Sequence, residues 1–173
     1  MNKIKISAIL IIFSIVFFPF EIALADTIVQ GEENAIKAAS LFLIPEKSSF
    51  LNPDYFTINL IVNPGGREIN TVSAYLSFDT SRLQLVSTSK ENSFCSFFIF
   101  ENINNDLGRY DLGCTTLGNS ISTTSRVISL TFQKIDMGWT KLNILEDSLV
   151  LAHDGLGTNI LGPREIHNIY LVK

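Results

Sequence analysis

Between Tyr55 and Ser89 the chain alternates apolar and polar residues with few breaks. Phe56, Ile58, Leu60 and Val62 share one side of a first run; Val72, Ala74, Leu76 and Phe78 share one side of a second. Successive side chains of an extended strand point to opposite faces, so each run can bury one face and wet the other. Pro64-Gly65-Gly66 separates the runs and reads as a strand turn, since it lacks the Lys and the following helix of a phosphate-binding loop. A polar corner, Asp79-Thr80-Ser81-Arg82, then leads into Leu83, Leu85 and Val86. Short Asp, Thr and Ser side chains satisfy backbone donors where a chain turns, and Leu83 can anchor the new strand in the core.

The pattern extends in both directions. Further strands are predicted at Ser40–Ile44, Phe94–Phe100, Arg109–Thr115, Arg126–Gln133, Trp139–Leu145 and Ile166–Val172, with Ser148–Ala152 a short continuation of the last but one. Tyr110, Leu112 and Cys114 point to one side of their strand. Glu46–Pro53 reads as a loop, Glu101–Gly108 as an Asn-rich turn and His153–Gly162 as a long turn-rich loop. About nine short strands punctuated by turn residues predict an all-β fold, an antiparallel β-sandwich, in place of a βαβ fold. No tandem repeat and no domain boundary shows after residue 40.

The first 25 residues have another character. Lys3 and Lys5 precede an apolar run from Ile6 to Phe18, Pro19 breaks it, and Ala23-Leu24-Ala25 offers a small-x-small cleavage site before Asp26. This is the layout of a secretory signal peptide. The rival, an uncleaved anchor, meets a run short of the about 20 residues a span needs. The expected organisation is a signal peptide over 1–25, a linker or short helical lead-in over 26–39 and one domain over 40–173, in a secreted or surface-exposed protein. The 173-residue chain has 13 Lys and Arg against 17 Asp and Glu, a net charge of −4; losing Lys3, Lys5 and Glu21 makes it one unit more negative. An acidic chain without a basic run argues against a nucleic-acid partner.

Two cysteines, Cys95 and Cys114, remain after the leader. In an oxidising compartment an isolated pair usually joins, and the hairpin predicted from Phe94 to Thr115 brings the two together. Two buried thiols are the alternative. A zinc site or a catalytic thiol lacks partners, since the only histidines are His153 and His167.

Four segments in order resemble the cohesin domain, a secreted jelly-roll module related to carbohydrate-binding modules. They are T-I-N-L-I-V-N with its Gly-Gly turn, F-D-T-S-R-L-Q-L-V-S (Phe78 to Ser87), V-I-S-L-T-F-Q (Val127 to Gln133) and S-L-V-L-A-H-D-G-L-G-T-N-I-L (Ser148 to Leu161). The resemblance covers Ser40 to Val172. Thr80 stands where the family usually has Pro. Cohesins bind dockerin modules through one sheet face, with Asn and Asp on the third strand. The resemblance therefore implies a dockerin-like protein partner and an outward set of Thr71, Ser73, Tyr75 and Ser77, although Thr71 and Ser73 replace the amide and the acid. A solvated outer face is the plain alternative for these four.

Other constellations are weaker. Asp154, Thr158 and Asn159 could begin a calcium loop, but calcium takes six to eight oxygens and turn chemistry explains these residues. Phe94, Phe97, Phe98, Phe100, Tyr110 and Trp139 could stack on a sugar if exposed, and direct polysaccharide binding is the second functional reading; at strand spacing these aromatics, Trp139 included, are expected in the core. No G-x-S-x-G elbow or carboxylate pair singles itself out, so a non-catalytic interaction module without metal or cofactor is expected.

Overall fold

Two sheets pack face to face, and the long strands send alternate side chains into the space between them. The computed structural model describes residues 38–45, 47–50, 54–163 and 168–172. These belong to one compact unit, Asn34–Lys173. The expected signal peptide and most of the expected linker lie outside the described residues.

In chain order the strands are β1 (Ser40–Ile44), β2 (Lys47–Phe50), β3 (Tyr55–Asn63), β4 (Ile69–Phe78), β5 (Leu83–Ser89), β6 (Phe97–Asn104), β7 (Arg109–Thr115), β8 (Ser125–Lys134), β9 (Gly138–Ile144), β10 (Leu149–Ala152) and β11 (Asn168–Val172). One sheet has the order β1-β3-β8-β5; the other runs β2-β11-β9-β4-β7-β6, with β10 also paired to β4. The strand pairs are antiparallel except β2 with β11. This is the sandwich the alternation predicts, and the expected strands account for all but the two shortest.

The core follows from period 2. Phe56, Ile58, Leu60 and Val62 of β3 and Val72, Ala74, Leu76 and Phe78 of β4 are all buried. Phe132 joins the layers: its ring stacks on Phe56 at 5.9 Å and meets Phe78 edge-on at 5.4 Å. Edge-to-face and offset contacts suit the ring quadrupoles, and each buried aromatic removes much apolar surface from water. The corner after β4 is built as its sequence suggests. The Asp79 carboxylate accepts from the Ser81 backbone N–H (2.9 Å) and hydroxyl, and the Asp79 carbonyl accepts from Leu83 N–H at 2.8 Å. This corner carries the chain from one sheet to the other.

Cys95 and Cys114 form a disulfide with Cα atoms 5.7 Å apart, within the usual range. It fastens the approach to β6 onto β7.

Three segments differ from the sequence reading. Part of the Glu46–Pro53 loop is strand β2, which pairs with β11 in register Lys47 to Ile169. Its partner lies over a hundred positions along the chain, so no local pattern marks it. Strand β6 starts at Phe97, not Phe94, because Phe94 N–H bonds to the Arg126 carbonyl (2.9 Å) next to the opposite sheet. It also runs on to Asn104, into the predicted turn, because Glu101 faces inward and accepts from Thr88 (2.6 Å) and Tyr110 (3.0 Å). Ser148–Ala152 is a separate strand, β10, set off from β9 by a turn at Glu146 and Asp147.

Candidate partner-binding face

The outer surface of the larger sheet is built on β9, β4, β7 and β6. Because Val72, Ala74, Leu76 and Phe78 point inward, Thr71, Ser73, Tyr75 and Ser77 point outward, as the spacing requires. All four are half-buried, not freely solvated. Thr71 donates to Thr115 at 3.0 Å, which in turn donates to the Asn70 carbonyl at 2.9 Å. Ser77 accepts from Asn143 of β9 at 3.3 Å. These short side chains are tied down within the sheet and leave a low, even surface.

Tyr75 stands above that surface. Its ring stacks on Phe100 of β6 at 6.2 Å, and the Arg109 guanidinium of β7 lies 5.6 Å from the ring centre on a cation–π contact. Arg109 donates to Asp111 at 2.7 Å and reaches Asp147 at 3.9 Å. The hydrogen bond that Arg109 donates to Asp111 raises its pKa above the ordinary value, so the charge is fixed. Phe100 reaches Tyr75 because Gly113 lies between them in the sheet: a β-carbon at 113 would sit 2.3 Å from the Phe100 ring. The result is an aromatic and cationic centre rimmed by small hydroxyls and two acids.

A splice in the sheet supports Tyr75 from behind. Strand β9 pairs with β4 up to Leu76, and β10 takes over from Ser73, leaving Tyr75 between them. Leu145 N–H bonds to the Tyr75 carbonyl at 2.7 Å. The fully buried Ser148 hydroxyl accepts from Tyr75 N–H at 3.1 Å and donates to the Leu145 carbonyl at 2.8 Å. One side chain thus stands in for a missing strand residue.

The remaining candidates resolve as follows. Trp139, expected in the core, is 67% exposed. Thr140, Leu142 and Ile144 take the inward positions of β9, which turns Trp139, Lys141 and Asn143 outward. Phe97 and Phe100 are also exposed, whereas Tyr110 is fully buried and Phe94 and Phe98 pack against the core. Asp154 caps its own loop, accepting from Leu156 N–H at 2.9 Å. The Thr158 side chain, then that backbone bond, holds its carboxyl below the usual carboxylate range. Turn chemistry therefore accounts for it, and among the described residues no group of three or more His, Cys, Asp or Glu side chains could hold a metal ion. Arg109, Asp111 and Gly113 escaped the sequence reading, although the inward set Tyr110, Leu112 and Cys114 already assigns them to the outer face; Phe100 entered it only as a candidate sugar-stacking aromatic, not as a neighbour of Tyr75.

No protein-family model matches the chain, and no curated protein matches it in sequence. Solved structures do match in fold. The sixth cohesin of scaffoldin B from Acetivibrio cellulolyticus, solved with a Cel5 dockerin mutant, has a TM-score of 0.63 at 11% identity, over 79% of this chain and 100% of that one. A non-cellulosomal cohesin from the archaeon Archaeoglobus fulgidus gives 0.63 at 9%, over 79% and 92%. A type I cohesin–dockerin complex from Clostridium thermocellum gives 0.61 at 12%, over 79% and 94%. The chain has the cohesin fold.

Proposed function

With that fold as premise, we propose that this chain is a non-catalytic module that binds a protein partner of dockerin type, outside the cell or at its surface, in a polysaccharide-handling setting. The observation that carries the reading is the Phe100–Tyr75–Arg109 stack, set in a sheet face of small hydroxyls, of which those of Thr71 and Ser77 bond within the sheet. Protein interfaces concentrate Tyr, Phe and Arg at their centres and leave polar rims, and hot spots favour Tyr and Arg among these. The tied hydroxyls of Thr71 and Ser77 add little desolvation cost when covered, because their bonds persist. Two of the structural neighbours are cohesins solved with dockerins, which supports the class of partner. The leader-like N-terminal sequence supports the location.

The test is capture from the secreted proteins of the source organism by the immobilised domain. A discrete protein should be retained by the wild type and lost with Tyr75→Ala and with Arg109→Glu. Retention unchanged by both substitutions would sink the assignment of the face.

A further inference from the structure

We propose a second binding site, for a neutral pyranose sugar, in the notch beside Trp139. The notch exists because strand lengths differ. Strand β4 ends at Phe78, opposite Leu142, while β9 starts four residues earlier, at Gly138. Residues 138 to 141 of β9 pair with β11 alone, and the Asp79 corner turns the chain away into the other sheet. The space left is an open, solvent-facing notch of about 440 Å³, within the roughly 300–1,000 Å³ common for small-molecule sites.

The lining fits the two-sided chemistry of a sugar ring. Trp139 supplies an exposed indole face, onto which the C–H face of a pyranose can stack. Ser77, Asp79, Lys141 and Asn143 supply hydrogen-bonding groups around it, of both donor and acceptor type. Lys141 and Asp79 balance in charge, which favours a neutral ring over a uronic acid. Thr140 borders the notch at its floor, with its side chain turned toward the core. The platform is held in place from below. Arg82 donates to the Asp136 carboxylate and to the Met137 carbonyl, and its guanidinium packs where a β-carbon on Gly138 would come within 3.2 Å. The residue directly before Trp139 is thereby fixed, so the indole is presented on a clamped turn. This site lies on the same outer sheet face as the Tyr75 centre and borders it at Ser77, but shares none of its aromatic residues.

Trp139 is the only tryptophan in the chain, so its fluorescence reports on the site directly. Wild-type protein is titrated with cellohexaose, xylohexaose and mannohexaose, with hexagalacturonate as the acidic arm. A saturable blue shift and protection from acrylamide quenching with a neutral hexamer are expected. Calorimetry should then show at least tenfold weaker binding for Trp139→Ala, weaker binding for Lys141→Ala, and no change for Tyr75→Ala. Silence with every hexamer, response to hexagalacturonate alone, or unaltered affinity in Trp139→Ala each overturns the proposal. Protection of Trp139 by a captured protein in place of a sugar overturns it as well, and assigns the notch to the protein interface.

Discussion

The ring of Phe100 covers Gly113 so closely that the glycine is part of the aromatic site. A β-carbon at 113 would fall 2.3 Å from Cε1 and 2.7 Å from Cδ1 of that ring. Phe100 is partly exposed, so it can swing out when challenged. Gly113→Ala should therefore displace Phe100 from Tyr75, at a cost on the order of 1 kcal/mol, the worth of one aromatic pair. Urea denaturation checks the stability, and the captured partner of the wild type should bind Gly113→Ala as weakly as Phe100→Ala. A variant as competent as wild type would mean that the stack has no part in recognition.

Ser148 makes a sharper stability prediction. Its hydroxyl completes the sheet between β9 and β10, and Ser148→Ala strands the Tyr75 N–H in a buried place. Leaving such a donor unsatisfied costs about 1–3 kcal/mol. The midpoint of urea unfolding should fall accordingly with an unchanged slope, whereas exposed Ser87→Ala should leave it in place.

Tyr110 and Glu101 each make the stability of the fold depend on pH. Burial first, then the neighbouring Glu101 carboxylate, pushes the Tyr110 hydroxyl above its ordinary 10.0. Up to that pH both folded and unfolded chains carry a neutral Tyr110; beyond it the unfolded chain ionises alone, and stability drops as pH rises. For Glu101, burial acts upward, but hydrogen bonds from Lys90, Thr88 and Tyr110 outweigh it and leave the carboxyl below its ordinary 4.5. Its contribution is complete above 4.5 and disappears as pH falls through the lowered value. Thermal melting across pH should show both declines. Tyr110→Phe should flatten the alkaline arm, and Glu101→Gln the acid arm.

The disulfide is a separate lever. It closes a segment with a sequence separation of 19, for which chain entropy gives about 3 kcal/mol. Cys95→Ala with Cys114→Ala should lower stability by about that amount. Thiol labelling of the denatured, non-reduced protein should find no free thiol among the described residues, and two labelled thiols would refute the bridge.

Much of this surface was legible in the sequence, and the exceptions have physical causes. The alternation of β4 placed Thr71, Ser73, Tyr75 and Ser77 outward without ambiguity. The same rule places Trp139 outward once Leu142 and Ile144 are taken as core, but its size and its position after a turn suggested packing. For Phe100 the rule itself fails. Phe98 lies opposite Cys114 and faces in, while Phe100 lies opposite Gly113 and faces out, because a bulge at Ile99 adds one residue to β6. Two residues of equal parity thus reach opposite faces, and no periodicity reveals an inserted residue. Strand β2 was hidden for another reason: what makes it a strand is β11, distant in the chain.

The bulge has a consequence for how the molecule behaves in a crowded solution. Strand β6 ends its sheet, carries Phe97, Ile99, Phe100 and Ile103 in exposed positions and contains neither Lys nor Pro. Such a margin invites a neighbouring molecule to add its own strand and so begin aggregating. The extra residue at Ile99 kinks the margin and spoils the even spacing that such growth would need. Excising Ile99 would straighten it and leave the margin open to strand-by-strand, fibrous association.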